Sequence, residues 1–123
     1  MTKPNYRLAN GIPVFSLSST DTDLVYGEIF VEDVYRQHGI TIGDGQCIFD
    51  VGANTGLFEV FLNTICRSVT VYAFEPVPAI FEVLERNVAL CPRLDVHTHA
   101  FGLSRQSGEA DFGYSGFLVG KAG

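Results

Sequence analysis

The sequence predicts an α/β fold: a short N-terminal hairpin, a helix, and then the first β-α-β-α-β half of a doubly wound sheet. Two continuous apolar runs of strand length, residues 47–51 and 69–74, are typical of parallel strands covered on both faces. Apolar residues recur at helical spacing after each run, and a third strand is expected where apolar and polar residues alternate over residues 94–101. Right-handed crossovers would place the three strands side by side in the order third, second, first.

The N-terminal part is expected to form the hairpin and the helix. Strand-like segments within residues 5–18 flank Asn10-Gly11, a dipeptide that tolerates the positive φ angles of a two-residue type I′ turn. The helix is expected from about residue 24 to residue 38 and should end at Gly39, because a glycine commonly follows the last helical turn. Since both elements precede the first core strand, they are candidates for a lid over the binding edge of the sheet.

Three parts are therefore expected along the chain: the N-terminal hairpin and helix (1–45), the half-sheet unit (46–114) and a flexible glycine-rich tail (115–123). No further strand is expected in the tail. A doubly wound sheet would continue with more strands at this point, so we interpret the sequence as one half of such a sheet. The edge of the first core strand would then be open, which favours self-association.

Composition narrows the choice of partners and location. The 123 residues are 46% hydrophobic and carry a net charge of −6, which allows a single well-packed domain and argues against nucleic acid as a partner. No apolar run approaches the roughly 20 residues of a membrane span, and the first residues lack the apolar core of a signal peptide. The three cysteines are odd in number and widely spaced, which is typical of reduced thiols in a cytoplasmic protein.

The turn after the first core strand carries the pattern Asp50-x-Gly52-x-Asn54-x-Gly56. A dinucleotide fingerprint needs G-x-G-x-x-G, and here Asn54 and Leu57 stand at its second and third glycine positions, so no space is cleared for a pyrophosphate. S-adenosylmethionine has no pyrophosphate and fits the pattern better. Asp50 would face its ammonium group, Gly52 would allow close backbone approach, and Asn54 with the first helical amides would bind its carboxylate. The alternative is a simple strand-to-helix turn with a capping asparagine.

Candidate residues also follow the other two core strands. Because the carboxyl ends of parallel strands form the ligand-binding edge, Glu75 is expected to accept hydrogen bonds from both ribose hydroxyls and Pro76 to flank the adenine. Ala100 and Phe101 would cover the adenine ring. A solvated acid at a strand end and ordinary strand-end packing are the alternatives. The full set of candidate cofactor residues is Asp50, Gly52, Ala53, Asn54, Gly56, Glu75, Pro76, Ala100 and Phe101.

Four segments carry recognisable motifs: residues 28–40, residues 49–58 with D-V-G-A-N-T-G, residues 73–78 with F-E-P-V-P, and residues 84–88. Together they resemble the FkbM-type methyltransferase family over about residues 5–112. The N-terminal part further resembles versions found beside or inside bacterial polyketide and non-ribosomal peptide assembly lines.

The resemblance implies the first half of a Rossmann-like class I methyltransferase fold. It also implies methyl transfer from S-adenosylmethionine to a hydroxyl of a small-molecule, natural-product or sugar acceptor. The family pattern carries Asp50, Gly52, Asn54, Gly56 and Glu75 onto the cofactor site. The family's later strands, acceptor pocket and catalytic base have no counterpart in this sequence, so little or no turnover is expected from the chain alone.

Two other functions stay open at this point. One is a non-catalytic remnant or interaction module that keeps the fold, and the other is a fragment of a nucleotide-dependent oxidoreductase, against which the failed glycine fingerprint argues. His97 and His99 share one face of the third strand, but no third ligand stands at a suitable spacing, so no metal site is expected. No residue can be nominated as a catalytic base.

Overall fold

The computed structural model describes residues 3–33, residues 42–102 and the backbone of residues 116–121. The elements in chain order are β1 (Tyr6–Arg7), β2 (Pro13–Val14), α1 (Ser19–Tyr26) with a π-helical continuation (Gly27–Val31), β3 (Gln46–Val51), α2 (Leu57–Ile65), β4 (Val69–Phe74), α3 (Pro78–Val88), β5 (Leu94–His99) and β6 (Gly116–Lys121). None of the helices in these ranges is both long and apolar enough to cross a lipid bilayer.

The main sheet has four strands in the order β5-β4-β3-β6. β4 pairs in parallel with both β3 and β5, with Asp50 beside Ala73 and Ala73 beside Thr98. This confirms the predicted order of the three parallel strands. It also brings the carboxyl ends of β3, β4 and β5 to one edge of the sheet, which we call the binding edge.

β6 corrects the expectation for the end of the chain. No strand was expected after residue 114, but the backbone of Gly116–Lys121 pairs antiparallel with all of β3, from Val51↔Gly116 to Gln46↔Lys121. The predicted open edge on β3 is therefore wrong as well. The reason is that the unpaired edge of β3 offers backbone hydrogen bonds to another strand. Glycine residues weaken a strand but do not prevent these hydrogen bonds, so a glycine-rich segment can pair there. The division into three parts and the self-association stay predictions.

The N-terminal hairpin is confirmed, but its turn differs from the predicted type I′. A three-residue loop is closed by hydrogen bonds from Leu8 N–H to Ile12 C=O (2.9 Å) and from Gly11 N–H to Leu8 C=O (2.8 Å). Of the two expected turn residues, Gly11 alone has a positive φ, at 91°. In this register Tyr6, Leu8, Ile12 and Val14 all lie on one face of the hairpin, against the core. A two-residue loop would have shifted the pairing by one residue and put Tyr6 and Leu8 on the opposite face from Ile12 and Val14.

The first helix begins five residues earlier than predicted, at Ser19 instead of residue 24. The reason is the side chain of Ser18, which caps the helix by accepting a hydrogen bond from Asp21 N–H at 3.2 Å. The helix then widens into the π-helical segment, in which Glu32 N–H donates to Gly27 C=O at 2.9 Å. The rest of the predicted helix, residues 34–38 with its stop at Gly39, lies outside the described residues.

The two faces of the parallel sheet have different surroundings. Two right-handed crossovers in the same direction put α2 and α3 on one side, and the residues of this helix-covered face join one core with them. That core includes Ile48, Val69, Val71 and Ala73 from the strands and Leu57, Val60, Phe61 and Leu84 from the helices. The opposite side, which we call the aromatic face, carries Phe49, Tyr72, Phe74, His97, His99 and, beyond β5, Phe101.

Candidate functional site

The glycine loop, residues 52–56, joins β3 to α2 at the binding edge. Three of its five residues have positive φ angles: Gly52 (72°), Asn54 (56°) and Gly56 (91°). Glycine adopts this conformation readily, and asparagine does so more easily than other side chains. The N–H groups of Gly52 and Ala53 both donate to the carbonyl of Phe74, at 3.0 and 2.9 Å, and so fasten the loop to the end of β4.

Glu75 links the glycine loop to the following connection. Its backbone N–H donates to His99 C=O at 3.1 Å, which places it at the junction of β4 and β5. Its side chain is buried, with Oε1 accepting from Asn54 N–H at 2.8 Å and Oε2 accepting from Val77 N–H at 3.0 Å. The structure thus joins Glu75 and Asn54, two residues that were predicted separately to bind the cofactor. Each carboxylate oxygen keeps a further lone pair that a ligand hydroxyl could use.

Asp50 and Glu59 form a pair of buried carboxyl groups beneath the loop. Asp50 is 4% exposed at the end of β3, and Glu59 is fully buried in the first turn of α2. Within the described part of the chain, Asp50 Oδ2 and both carboxyl oxygens of Glu59 have no partner at hydrogen-bonding geometry. Buried polar atoms of this kind are costly and demand an explanation.

Their surroundings change how these two groups hold protons. Burial raises the pKa of Asp50, the neighbouring carboxyl group of Glu59 lowers it, and the negative charge of Glu75 raises it. Burial raises the pKa of Glu59 well above its ordinary value of 4.5, and the charge of Asp50 adds to the rise. Glu59 therefore keeps its proton to a higher pH than a glutamate in water does.

Gly56 is fixed by packing as well as by its backbone conformation. A Cβ atom at this position would lie 2.9 Å from Leu84 Cδ1 and 3.6 Å from Asn87 Cβ, both on α3. Because real Cβ atoms do not approach other atoms so closely, any other residue at position 56 would require the end of the Leu84 side chain to shift. The close approach of α3 gives Gly56 a structural role beside the predicted cofactor role.

Asn87 is a residue of the site for which the sequence analysis assigned no role. It is fully buried on α3, where its Oδ1 accepts from Phe15 N–H at 2.9 Å and its Nδ2 donates to Phe15 C=O at 3.0 Å. The same Nδ2 donates to the carbonyl of Thr55, in the glycine loop, at 2.7 Å. The available signal was an amide on the apolar side of a helix, next to Val88 and one turn after Leu84.

The three remaining candidates lie farther out on the binding edge. Pro76 is half-buried, and Ala100 and Phe101 are exposed just beyond β5. The ring of Phe101 lies 5.6 Å from that of Phe74 and 5.5 Å from that of His99, so it extends the aromatic face toward this edge. Their contacts with adenine stay predictions. In the ranges described here, no three His, Cys, Asp or Glu side chains come together as a metal site.

Comparison with known proteins finds relatives among methyltransferases. The chain is 41% identical over 81 residues to the 31-O-demethyl-FK506 methyltransferase FkbM of Streptomyces tacrolimicus, covering 66% of this chain and 31% of that protein. It is 30% identical over 115 residues to the methyltransferase sdnD of Sordaria araneosa, covering 93% of this chain and 44% of that protein.

A third relative is a much longer protein, the AMB antimetabolite synthetase AmbE of Pseudomonas aeruginosa. The chain is 37% identical to it over 108 residues, which are 87% of this chain and 5% of the synthetase. No family model matches the chain, and no solved structure matches it significantly. The chain spans about a third of the length of the first of these relatives and less than half of the others.

Proposed function

Because this chain belongs to the FkbM-type methyltransferase family, we propose that it forms the S-adenosylmethionine-binding part of an O-methyltransferase. The observation that carries the proposal is the link through Glu75, which ties the glycine loop to the β4–α3 connection at the binding edge. Ligands of open α/β sheets bind at this edge. A parallel three-stranded unit with helices is compatible with half of a Rossmann-like fold.

The residues present fit such a cofactor. Asp50 Oδ2 is a buried acceptor without a partner among the described residues, and it suits an ammonium group. Glu75 holds a free lone pair on each carboxylate oxygen for the ribose hydroxyls, while Pro76, Ala100 and Phe101 would contact the adenine. When bound, S-adenosylmethionine supplies a methyl group on a sulfonium, which is a good leaving group. The role of this chain is therefore to bind the cofactor and to orient it. Positioning alone lowers the activation barrier of such reactions by several kcal/mol.

The proposed acceptor is a hydroxyl group of a small natural product. The support is the name of the relative from Streptomyces tacrolimicus, which specifies methylation at an oxygen of 31-O-demethyl-FK506. The match inside an antimetabolite synthetase supports a second element of the proposal, namely that the acceptor can be presented by an assembly-line protein. We assign no catalytic base, and we expect little turnover from these 123 residues alone.

Calorimetric titration with S-adenosylhomocysteine tests the cofactor site. We expect the chain to bind it, and we expect Glu75→Ala to weaken binding at least about tenfold, since a lost charge-assisted hydrogen bond contributes that much. Glu82→Ala is the matched control, because Glu82 is an exposed acid on α3 that pairs with Arg86 one helical turn away. Its affinity should equal that of the natural chain.

Other outcomes separate the alternatives. If the natural chain is folded by circular dichroism but does not bind S-adenosylhomocysteine, the cofactor role is overturned and a non-catalytic remnant of the fold is supported. The buried position of Glu75 and its two backbone partners would then serve stability alone. If NADH binds in place of S-adenosylhomocysteine, the oxidoreductase alternative is supported despite the failed glycine fingerprint.

A further inference from the structure

The side chain of Asn87 connects two segments that are far apart in sequence. It exchanges two hydrogen bonds with the backbone of Phe15, 72 residues away, and donates a third to Thr55 C=O, 32 residues away. Phe15 follows the N-terminal hairpin, and Thr55 belongs to the glycine loop. One buried amide thus touches both the proposed lid and the proposed cofactor site.

The chemistry of this contact requires an amide. Asn87 Oδ1 accepts a hydrogen bond from Phe15 N–H. Both hydrogens of Nδ2 are donated, one to Phe15 C=O and one to Thr55 C=O. An apolar residue would fill the helix face equally well but would leave three backbone groups unsatisfied. Asn87 is fully buried, so water cannot readily replace these hydrogen bonds.

The loop side of the contact is tightly held. Asn54, next to Thr55, donates its N–H to Glu75 Oε1, and Gly56 on the other side packs against Leu84 and Asn87. A displacement of Asn87 therefore reaches residues on both sides of the Thr55 carbonyl.

The other side of the contact is held by a second asparagine. Asn5 Oδ1 accepts from Ser16 N–H at 2.7 Å, and Asn5 Nδ2 donates to Ser16 C=O at 2.9 Å. Phe15 and Ser16 are thus each held by an asparagine that accepts from the backbone N–H and donates to the backbone C=O. Only Asn87 extends to the glycine loop, which makes Asn5 a remote point from which the link can be tested.

We propose that Asn87 is a positioning residue that couples the N-terminal segment, residues 13–16, to the conformation of the glycine loop. Loosening either segment then loosens the other, and a ligand that orders the loop also orders the N-terminal segment. The ligand part of this proposal rests on the proposed function, whereas the coupling in the ligand-free chain does not.

Hydrogen exchange of the ligand-free chain tests the coupling. Asn5→Ala should raise the exchange rates of the amides of residues 14–16 and also those of the glycine-loop amides by about two- to tenfold, the effect of one lost hydrogen bond. Arg7→Ala is the control, because it removes a hairpin hydrogen bond to Gly11 C=O without touching residues 15 and 16. Loop exchange unchanged by Asn5→Ala would overturn the proposal, whereas a purely structural Asn87 predicts that result.

A second comparison assigns the link to Asn87. In a chain that carries Asn87→Leu, adding Asn5→Ala should leave loop exchange unaltered, since the connection is already broken. A further rise in loop exchange in that double variant would show a route other than Asn87 and would overturn the assignment. If Asn87→Leu does not fold, Asn87→Asp takes its place, because it keeps the acceptor for Phe15 N–H and loses both donors.

The ligand arm separates this proposal from the proposed function. S-adenosylhomocysteine should slow exchange at the amides of residues 14–16 in the natural chain and not in the Asn87→Leu chain. Slowing of equal size in both chains would overturn the coupling while leaving the cofactor site intact. Failure of S-adenosylhomocysteine to bind at all would overturn the proposed function, and the ligand-free comparison would still decide the coupling.

Discussion

The helix-covered face of the sheet buries polar groups, whereas the aromatic face buries Phe74 but leaves the rings of Phe49 and Phe101 in contact with solvent. Asp50, Glu59 and Asn87 are between 0 and 4% exposed on the side of α2 and α3. Phe49 and Phe101, on the aromatic face, are 38% and 52% exposed. Sheets of parallel strands usually bury both faces. The helix-covered face follows this pattern, and the exposed rings of the aromatic face depart from it.

The position of the polar groups explains the difference. Four of the buried polar residues, Asp50, Glu59, Glu75 and Asn87, lie at the binding edge, where they hold or underlie the glycine loop. Burying such groups is costly, which indicates that they shape the loop more than they stabilise the fold. The aromatic residues contact one another across strands instead, with Tyr72 stacked on His97 at 5.0 Å and Phe74 on His99 at 4.9 Å.

The largest loss of stability is expected when an aromatic ring is removed from the core on the helix-covered side of the sheet. Phe58, on α2, is 3% exposed, and Phe58→Ala should cost about 3–5 kcal/mol of unfolding free energy, since the cavity cannot collapse fully. Urea denaturation followed by circular dichroism measures this loss. A loss below about 1 kcal/mol would contradict the assignment of Phe58 to the core.

Gly56→Ala should give the next largest effect. The positive φ of 91° costs a residue with a Cβ about 1–2 kcal/mol, and overpacking against Leu84 adds about 1–3 kcal/mol. Gly11→Ala is the matched control, because Gly11 has the same φ and no atom within 4 Å of the added Cβ. Equal losses of unfolding free energy in the two variants would show that α3 does not press on the loop.

Glu59→Gln should stabilise the chain in a pH-dependent way. Because the folded-state pKa of Glu59 lies above its ordinary value of 4.5, the favourable effect of its proton is complete below pH 4.5 and is lost as pH rises through the folded-state pKa. Glutamine keeps the shape without the charge, so at pH 8 we expect the Glu59→Gln chain to be the more stable of the two.

The measurement is thermal unfolding of both chains from pH 4 to pH 8. The two curves should diverge with rising pH and lie close together at the acid end. Glu85→Gln serves as a control on the neighbouring helix, because Glu85 is exposed and its carboxylate accepts a hydrogen bond from the hydroxyl of Thr98. A Glu59→Gln chain that is less stable than the natural chain at pH 8 would show that the charge of Glu59 is used in the fold.

The smallest effect is expected on the aromatic face. Phe101→Ala removes the same ring as Phe58→Ala but from a residue that is 52% exposed, so the loss should stay near or below about 1 kcal/mol. Urea denaturation compares the two truncations directly. Similar losses for both would mean that the aromatic face is buried in solution and that the contrast between the faces is false.

Much of the sheet could be predicted because the strands are short, apolar and continuous. The bounds of β4 match the prediction, and β3 begins one residue before it, at Gln46. The joining of Glu75 with the glycine loop followed from one rule, namely that parallel strands end at the same edge. Local chemistry and strand order were sufficient for these features.

The features that sequence reasoning missed depend on distant partners. The helical period showed which side of α2 and α3 is covered, but it could not show that Glu59 and Asn87 are buried there, since their neighbours come from β3 and the N-terminal segment. β6 was missed because its pairing depends on the free edge of β3 more than on its own glycine-rich sequence. The hairpin register was set by the core, which needed Leu8 and Val14 inside.

The contact between Phe15 and Asn87 can form only late in the synthesis of this chain. The 72 residues that follow Phe15 up to and including Asn87 take a ribosome roughly 4–14 s to add at typical rates of about 5–20 residues per second. During that interval the backbone groups of Phe15 have no partner on α3, and the apolar side chains of Leu8, Val14 and Phe15 have no completed core to enter. The segment around Phe15 is thus secured only after α3 has been made, and its apolar side chains stay unburied until then.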